Sequence, residues 1–342
     1  MRKYIFLIFL LLGSFIPGHL SAQDIHFSQY YNTPMLQNAA NTALMSDRDF
    51  RITSIYRNQW SSIPAPFKTF AVAGEFQTLR NDQFTNWLGI GFYGLSDKAG
   101  DGDLSMTAYG MNMAYHLMLS ESSILSVGIG ASYNTRSIDF AKLSFDAQWD
   151  GFSFNKSLPN GESRTLEKAT YTNVIAGINY SYFPSENIYF KIGAGMAHIN
   201  RPKVSLLHGS ANKLGFRPML TTDAIVVLDR GWKVTPSAYL TFMQKATNII
   251  AGATIAKDFQ GMDSDLPGYF YTGVYYRYKE SVIALIGIEW SDVRLTMTYD
   301  ITTSGLARAN KGNGAFEVSL VFQGFYGKSG IHGKTPWECP RF

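Results

Sequence analysis

Five histidines stand beyond residue 22: His26, His116, His198, His208 and His332. An enzyme would build its site from such residues, from a nucleophile with its base, or from paired carboxylates. The spacings here form none of these. There is no HExxH and no GxSxG. The single cysteine, Cys339, excludes a CxxC pair and an internal disulfide. His198 and His208 could share a rim with Asp146 or Asp150, but rim histidines are in most cases merely solvated. Asp101 with Asp103 and Asp263 with Asp265 are too sparse for an EF-hand loop. Gly89-Ile90-Gly91 and Gly193-Ala194-Gly195 lie in strand-like stretches with no helix after them, the wrong setting for a phosphate loop. Glycine there fits close packing or curvature of a sheet. No active site, metal site or cofactor is expected.

The charged residues become informative once the elements that hold them are read. From Asp292 to Thr302, Val293, Leu295, Met297, Tyr299 and Ile301 alternate with Arg294, Thr296, Thr298, Asp300 and Thr302. This is the period-2 pattern of a strand with one apolar and one wet face. Trp232 to Phe242 repeats it, with Lys233, Thr235, Ser237, Tyr239 and Thr241 on the wet side. Carried along the chain, the same alternation places Arg57, Glu75, Asp223, Lys233, Lys257, Arg277, Glu289, Arg294, Asp300 and Glu317 on the wet face.

Strands read at about 51–60, 67–78, 87–97, 104–118, 123–136, 170–183, 187–199, 217–228, 232–243, 247–257, 269–279, 282–290, 293–302 and 315–323. Most reach ~10 residues, the length a tilted membrane strand needs and more than a soluble sheet uses. Short connectors at 119–122, 184–187, 229–231 and 291–292 alternate with long ones at 137–169, 200–216 and 303–314. Short periplasmic turns and long external loops mark an outer-membrane barrel. The expected fold is therefore all-β, an antiparallel transmembrane β-barrel of about 14 strands. Trp87, Tyr182, Trp232 and Trp290 fall at its periplasmic edge, where an aromatic girdle belongs. A ring this wide is not filled by side chains alone. Its lumen holds water, a plug or both, and its charges read as a paired network or as the seat of a plug.

Composition agrees. Hydrophobic residues make up 46% and charged residues 16%, below the ~25% charged usual in soluble domains, and aromatics reach 15%. No apolar run past the start approaches the ~20 residues of a membrane helix. The net charge of +4 carries no basic cluster, so nucleic acid is not an expected partner; outer-membrane lipid is. Residues 1–22 read as a secretory signal, with Arg2 and Lys3 before an apolar core and Leu20-Ser21-Ala22 at the cleavage site. The single barrel unit, 23–342, then divides into a polar, non-alternating segment (23–49) expected to fold into the lumen, the barrel (50–323) and a tail (324–342).

The two ends carry a resemblance. Gln23-Asp24-Ile25-His26-Phe27-Ser28-Gln29-Tyr30, with Pro34 and Asn38-Ala39-Ala40 after it, is similar to the mature amino terminus of the PorP/SprF family. Tyr56-Arg57-Asn58-Gln59-Trp60 with Pro66-Phe67-Lys68-Thr69 resembles its next landmark. Tyr299-Asp300 and Ser304, then Gly312 to Ser319, resemble its last hairpin. Cys339-Pro340-Arg341-Phe342 resembles its usual ending. Asn38-Ala39-Ala40-Asn41 departs from the Asn-Pro-Ala more common there. The resemblance implies a non-enzymatic outer-membrane barrel of the type IX secretion system of Bacteroidetes. Such a barrel would work with other secretion components in exporting or retaining a large surface protein, such as a gliding adhesin, through that protein's C-terminal sorting domain. The alternation alone equally permits a diffusion porin or small-molecule channel.

Overall fold

A strand in lipid must satisfy its backbone within the protein, and only a closed ring leaves no bare edge. The computed structural model describes residues 25–45, 48–63, 65–81, 85–100, 102–161, 167–206, 212–244, 246–259 and 268–326. The expected signal, His208, His332 and Cys339-Pro340-Arg341-Phe342 lie outside these residues. Among the described residues fourteen strands close into one barrel. They are β1 (Phe50–Gln59), β2 (Phe67–Thr78), β3 (Asn86–Ala99), β4 (Leu104–Ser120), β5 (Ser123–Ser137), β6 (Lys168–Ser185) and β7 (Ile188–Ala197). β8 (Arg217–Leu228), β9 (Trp232–Met243), β10 (Ala246–Asp258), β11 (Gly268–Arg277), β12 (Ser281–Trp290), β13 (Val293–Thr302) and β14 (Asn313–Gly324) complete the ring. Each pairs antiparallel with its sequence neighbours, and β1 closes on β14 with Phe50 opposite Gly324 and Gln59 opposite Ala315.

The alternation read from the sequence is the alternation of the two faces. Ile52, Phe70, Phe92, Tyr109, Ile129, Ile178 and Leu320 project outward and exposed, as a lipid-facing wall requires. Thr53, Arg57, Glu75, Asn112, Ser126, Asn179 and Ser319 on the same strands are buried inside. Two-residue turns join β4 to β5, β6 to β7 and β12 to β13, whereas the β5–β6 and β7–β8 connectors are long. That asymmetry makes the first set periplasmic and the second external.

Two expectations fail. Trp87 is not part of the aromatic girdle: it is 1% exposed, faces the lumen and stacks on His116 with ring centroids 4.8 Å apart. The parity it shares with Gly89 and Gly91 on β3 turns it inward. Lys257 is not in the lumen. Its register partner is the outward-facing Trp232, and its ammonium lies 5.3 Å from that ring, while Ile250 and Ala256 take the inward positions of β10. Tyr182, Trp232 and Trp290 do stand exposed at periplasmic strand ends.

Residues 25–45 pack against the inner faces of the strands. They contain a turn of α-helix at Pro34–Gln37 between 3-10 turns at Tyr30–Asn32 and Ala39–Asn41. Short turns suit this composition, because Asn, Gln and Ser side chains satisfy backbone groups that no strand ladder reaches.

Candidate functional site

The contacts between this segment and the wall begin in the external half of the lumen. Arg57 near the end of β1, Arg277 at the end of β11, Asp300 on β13 and Glu317 on β14 converge there, each no more than 2% exposed. Arg57 pairs with Glu317 and, at 3.3 Å, with Asp300. Arg277 lies 3.6 Å from Asp300 and 3.0 Å from Glu280. Ser28 sits among all four. Its hydroxyl donates to Asp300 at 2.7–2.9 Å and accepts from Arg57 at 2.8 Å and from Arg277 at 2.7 Å. Both oxygens of Glu317 accept backbone amides, from Ser28 at 2.7 Å and from Gln29 at 2.9 Å. Two buried carboxylates thus face two guanidinium groups, with the segment's own backbone completing their shells. Burial of charge is tolerated when it is matched in this way.

Below this cluster the segment is bound by amides and hydroxyls. The Gln29 side chain accepts from Ser319 at 2.6 Å, and Asn32 donates to Thr296 at 3.0 Å and to Ser319 at 2.9 Å. Tyr30 donates to Ser237 at 2.7 Å and stacks on Tyr239, centroids 5.3 Å apart. Asn38 donates to Asn179 at 2.7 Å, and Asn179 in turn donates to Asn41 at 2.8 Å. Asn112 donates to the Met35 carbonyl at 2.8 Å.

In the periplasmic half, Glu75 accepts the Ala43 amide at 2.6 Å and pairs with Arg51 at 2.6 Å. The Trp87 indole donates to the Ala43 carbonyl at 3.1 Å, and His116 Nε2 lies 2.9 Å from the Thr42 carbonyl. Glycines give the segment room to approach. A Cβ on Gly89 would stand 2.2 Å from the Thr42 carbonyl oxygen, and one on Gly128 would stand 2.4 Å from Ala39 and Ala40 backbone atoms. No side chain fits at either place. Beside the segment a cavity of about 140 Å³ remains, lined in part by Tyr31, Lys191, Asp223, Lys233, Glu289 and Arg294. Lys191 pairs there with Asp223 at 3.1 Å, Arg294 with Glu289 at 2.7 Å, and Lys233 lies 4.5 Å from the Tyr269 ring.

Of the remaining landmark residues, Pro34 lies on the segment within the lumen and the others at the external end of β1. Pro34 opens the helical turn and its carbonyl accepts from Asn41 at 3.1 Å. Gln59 accepts from Arg57 at 3.4 Å. Asn58 faces outward opposite Lys68. Trp60, with φ of 57°, donates its amide to the Gly314 carbonyl at 2.7 Å and packs edge-on against Phe67. His198 does not meet Asp146 or Asp150: it is buried against Asn173, at 2.8 Å. Asp150 caps its own turn through the Phe152 and Ser153 amides, and these bonds hold its carboxyl below the usual carboxylate range. Sequence reasoning missed Ser28, Asn38, Asn179, His116 and Lys191. Inward parity on β4, β6 and β7 marks the last three, whereas nothing in the spacing marks the segment residues that Asn179 and His116 meet.

The arrangement binds a peptide segment; the Ser126 hydroxyl lies 2.7 Å from His116 Nδ1, but both side chains are fully buried between the wall and the segment. A closed antiparallel ring with an apolar outer wall and a polar, charged lumen is an outer-membrane β-barrel. Solved structures of this kind share its fold. The Ralstonia pickettii toluene transporter TbuX matches with a TM-score of 0.54 at 10% identity, over 86% of this chain and 93% of that one. A Pseudomonas aeruginosa FadL homologue matches with a TM-score of 0.51 at 9% identity, over 85% and 94%. The chain belongs to the family of the type IX secretion system membrane protein PorP/SprF, whose model matches residues 19–322. No curated protein matches in sequence.

Proposed function

We propose that residues 25–45 plug the lumen and that the barrel is a type IX secretion accessory which holds a large surface protein at its outer loops and rim. The partner is engaged through its C-terminal sorting domain, in concert with other secretion components, as a gliding adhesin would be. Family membership supports the secretion role. The observation that carries the closed-lumen reading is the chelation of the Ser28 and Gln29 amides by Glu317. Transit of small solutes would require breaking that cluster, the asparagine ladder at Asn38 and the contacts at Ala43. The porin reading therefore takes second place.

Planar-bilayer recordings on the full-length barrel test the closure. Wild type is expected to remain closed, and a chain lacking residues 25–45 is expected to conduct in steady steps. Steady ohmic conductance from wild type would contradict the plug.

A further inference from the structure

The outer wall carries a polar row that neither a plug nor a partner at the loops explains. At the external ends of six consecutive strands, register aligns Asn58, Lys68, Lys98, Ser105, Ser137 and Lys168. All six have the parity of the lipid-facing side, because Arg57, Thr69, Asp97, Arg136 and Ala169 beside them take the opposite one. Lys68, Lys98 and Lys168 are exposed. Lys68 and Lys98 are direct cross-strand partners, and like charges so placed repel. Lys168 stands three strand spacings from Lys98, about 14 Å. No carboxylate pairs with any of the three among the described residues. The nearby Asp103 is bonded to Lys142 and is felt by Lys98 only as a weaker, longer-range attraction.

Height on the wall identifies what the row meets. One or two outward positions below it on the same strands stand Phe70, Tyr109 and Tyr133, exposed by 48%, 65% and 55%. Aromatic rings at this depth mark the boundary between acyl chains and headgroups. The lysines therefore sit at headgroup level in the outer leaflet, with Ser105 and Ser137, their hydroxyls 2.8 Å apart, as further hydrogen-bonding groups. We infer that this row is a binding site for the phosphate of an outer-leaflet lipid headgroup. The paired ammonium groups supply the charge, and the aromatic residues below receive the acyl chains. An anion between Lys68 and Lys98 turns their repulsion into two charge-assisted contacts.

Native mass spectrometry of the full chain in neutral detergent tests this, with a bisphosphorylated glucosamine-disaccharide lipid and its dephosphorylated form as probes. Wild type is expected to retain the phosphorylated lipid at least about tenfold more tightly than the dephosphorylated one, with Lys68→Gln/Lys98→Gln losing about tenfold, since each surface lysine contributes measurably to anionic-lipid binding. Inorganic phosphate in millimolar excess should not displace the lipid. Equal retention of both lipids, or an unchanged affinity in the double variant, would overturn the proposal. Displacement by inorganic phosphate would also overturn it, leaving a free-anion site. Should the double variant fold poorly, Lys98→Gln alone reads the same difference, with Lys213→Gln, an exposed lysine of the β7–β8 connector outside the row, as the control.

Discussion

Ser28 and Glu317 stand 289 residues apart in sequence, yet the Ser28 amide donates to the Glu317 carboxylate at 2.7 Å. One bond thus joins the amino-terminal segment to the last strand, on the far side of the β1–β14 seam where the barrel closes. Glu317 also holds Arg57 of β1, so a single carboxylate binds segment, first strand and last strand together.

Replacing Arg57 with Met is expected to leave Asp300 and Glu317 short of a counter-charge in a buried place. Breaking a buried pair from one side costs about 3–5 kcal/mol, here shared with Arg277. The apparent unfolding temperature of the purified barrel should fall clearly. Glu317→Gln should fall less, because it keeps a carbonyl for one amide and leaves Arg57 with Asp300.

Gly128→Leu should separate segment from barrel. Its side chain would run into Ala39 and Ala40, so the ring should still close while the segment is displaced. Limited proteolysis is expected to cut between residues 25 and 45 in the variant and not in wild type. Conductance should rise in parallel.

Trp87 and Trp290 lie near the same edge of the barrel but on opposite faces. In vesicles of brominated phosphatidylcholine, a variant keeping Trp290 as its only tryptophan is expected to be strongly quenched, and one keeping Trp87 to be nearly unquenched. Trp87→Phe should also remove the bond to the Ala43 carbonyl, worth about 1 kcal/mol, and speed amide exchange near residue 43.

Outside the membrane, the Lys142 ammonium bonded to Asp103 holds that carboxyl below its ordinary value of 3.8. A lowered carboxylate contributes ordering that is complete above that ordinary value and is lost as pH falls through the lowered one. Amide exchange at residues 139–143 is expected to quicken below about pH 4, and Asp103→Asn should abolish the change. Because the pair is fully exposed, moderate salt should weaken the effect.

The strands were legible because both of their faces are written locally. Val293, Leu295 and Met297 against Arg294, Thr296 and Thr298 leave one register consistent with lipid on one side and water on the other. The misplacement of Trp87 came from reading position along the strand without parity. Gly89 and Gly91, two and four residues on, already marked its face as the one that backbone approaches. Lys257 sits where Asn248-Ile249-Ile250 blurs the alternation of β10, and only pairing with Trp232 settles its side. The charges of the candidate site were visible one by one, since inward parity names Arg57, Asp300 and Glu317. Their convergence on Ser28 was not, because a bond across 289 residues leaves no period in the chain. Likewise the asparagine ladder of Asn38, Asn179 and Asn41 depends on where the segment lies, and its polar residues alone did not show which strands it would touch.

The most direct test of the proposed role is to purify the full-length protein in mild detergent from its own outer membrane and identify by mass spectrometry what accompanies it. The account predicts a large surface protein carrying a C-terminal sorting domain, recovered in near-stoichiometric amount and lost when the external loops are trimmed. A barrel recovered alone, conducting small solutes in its wild-type form, would contradict it.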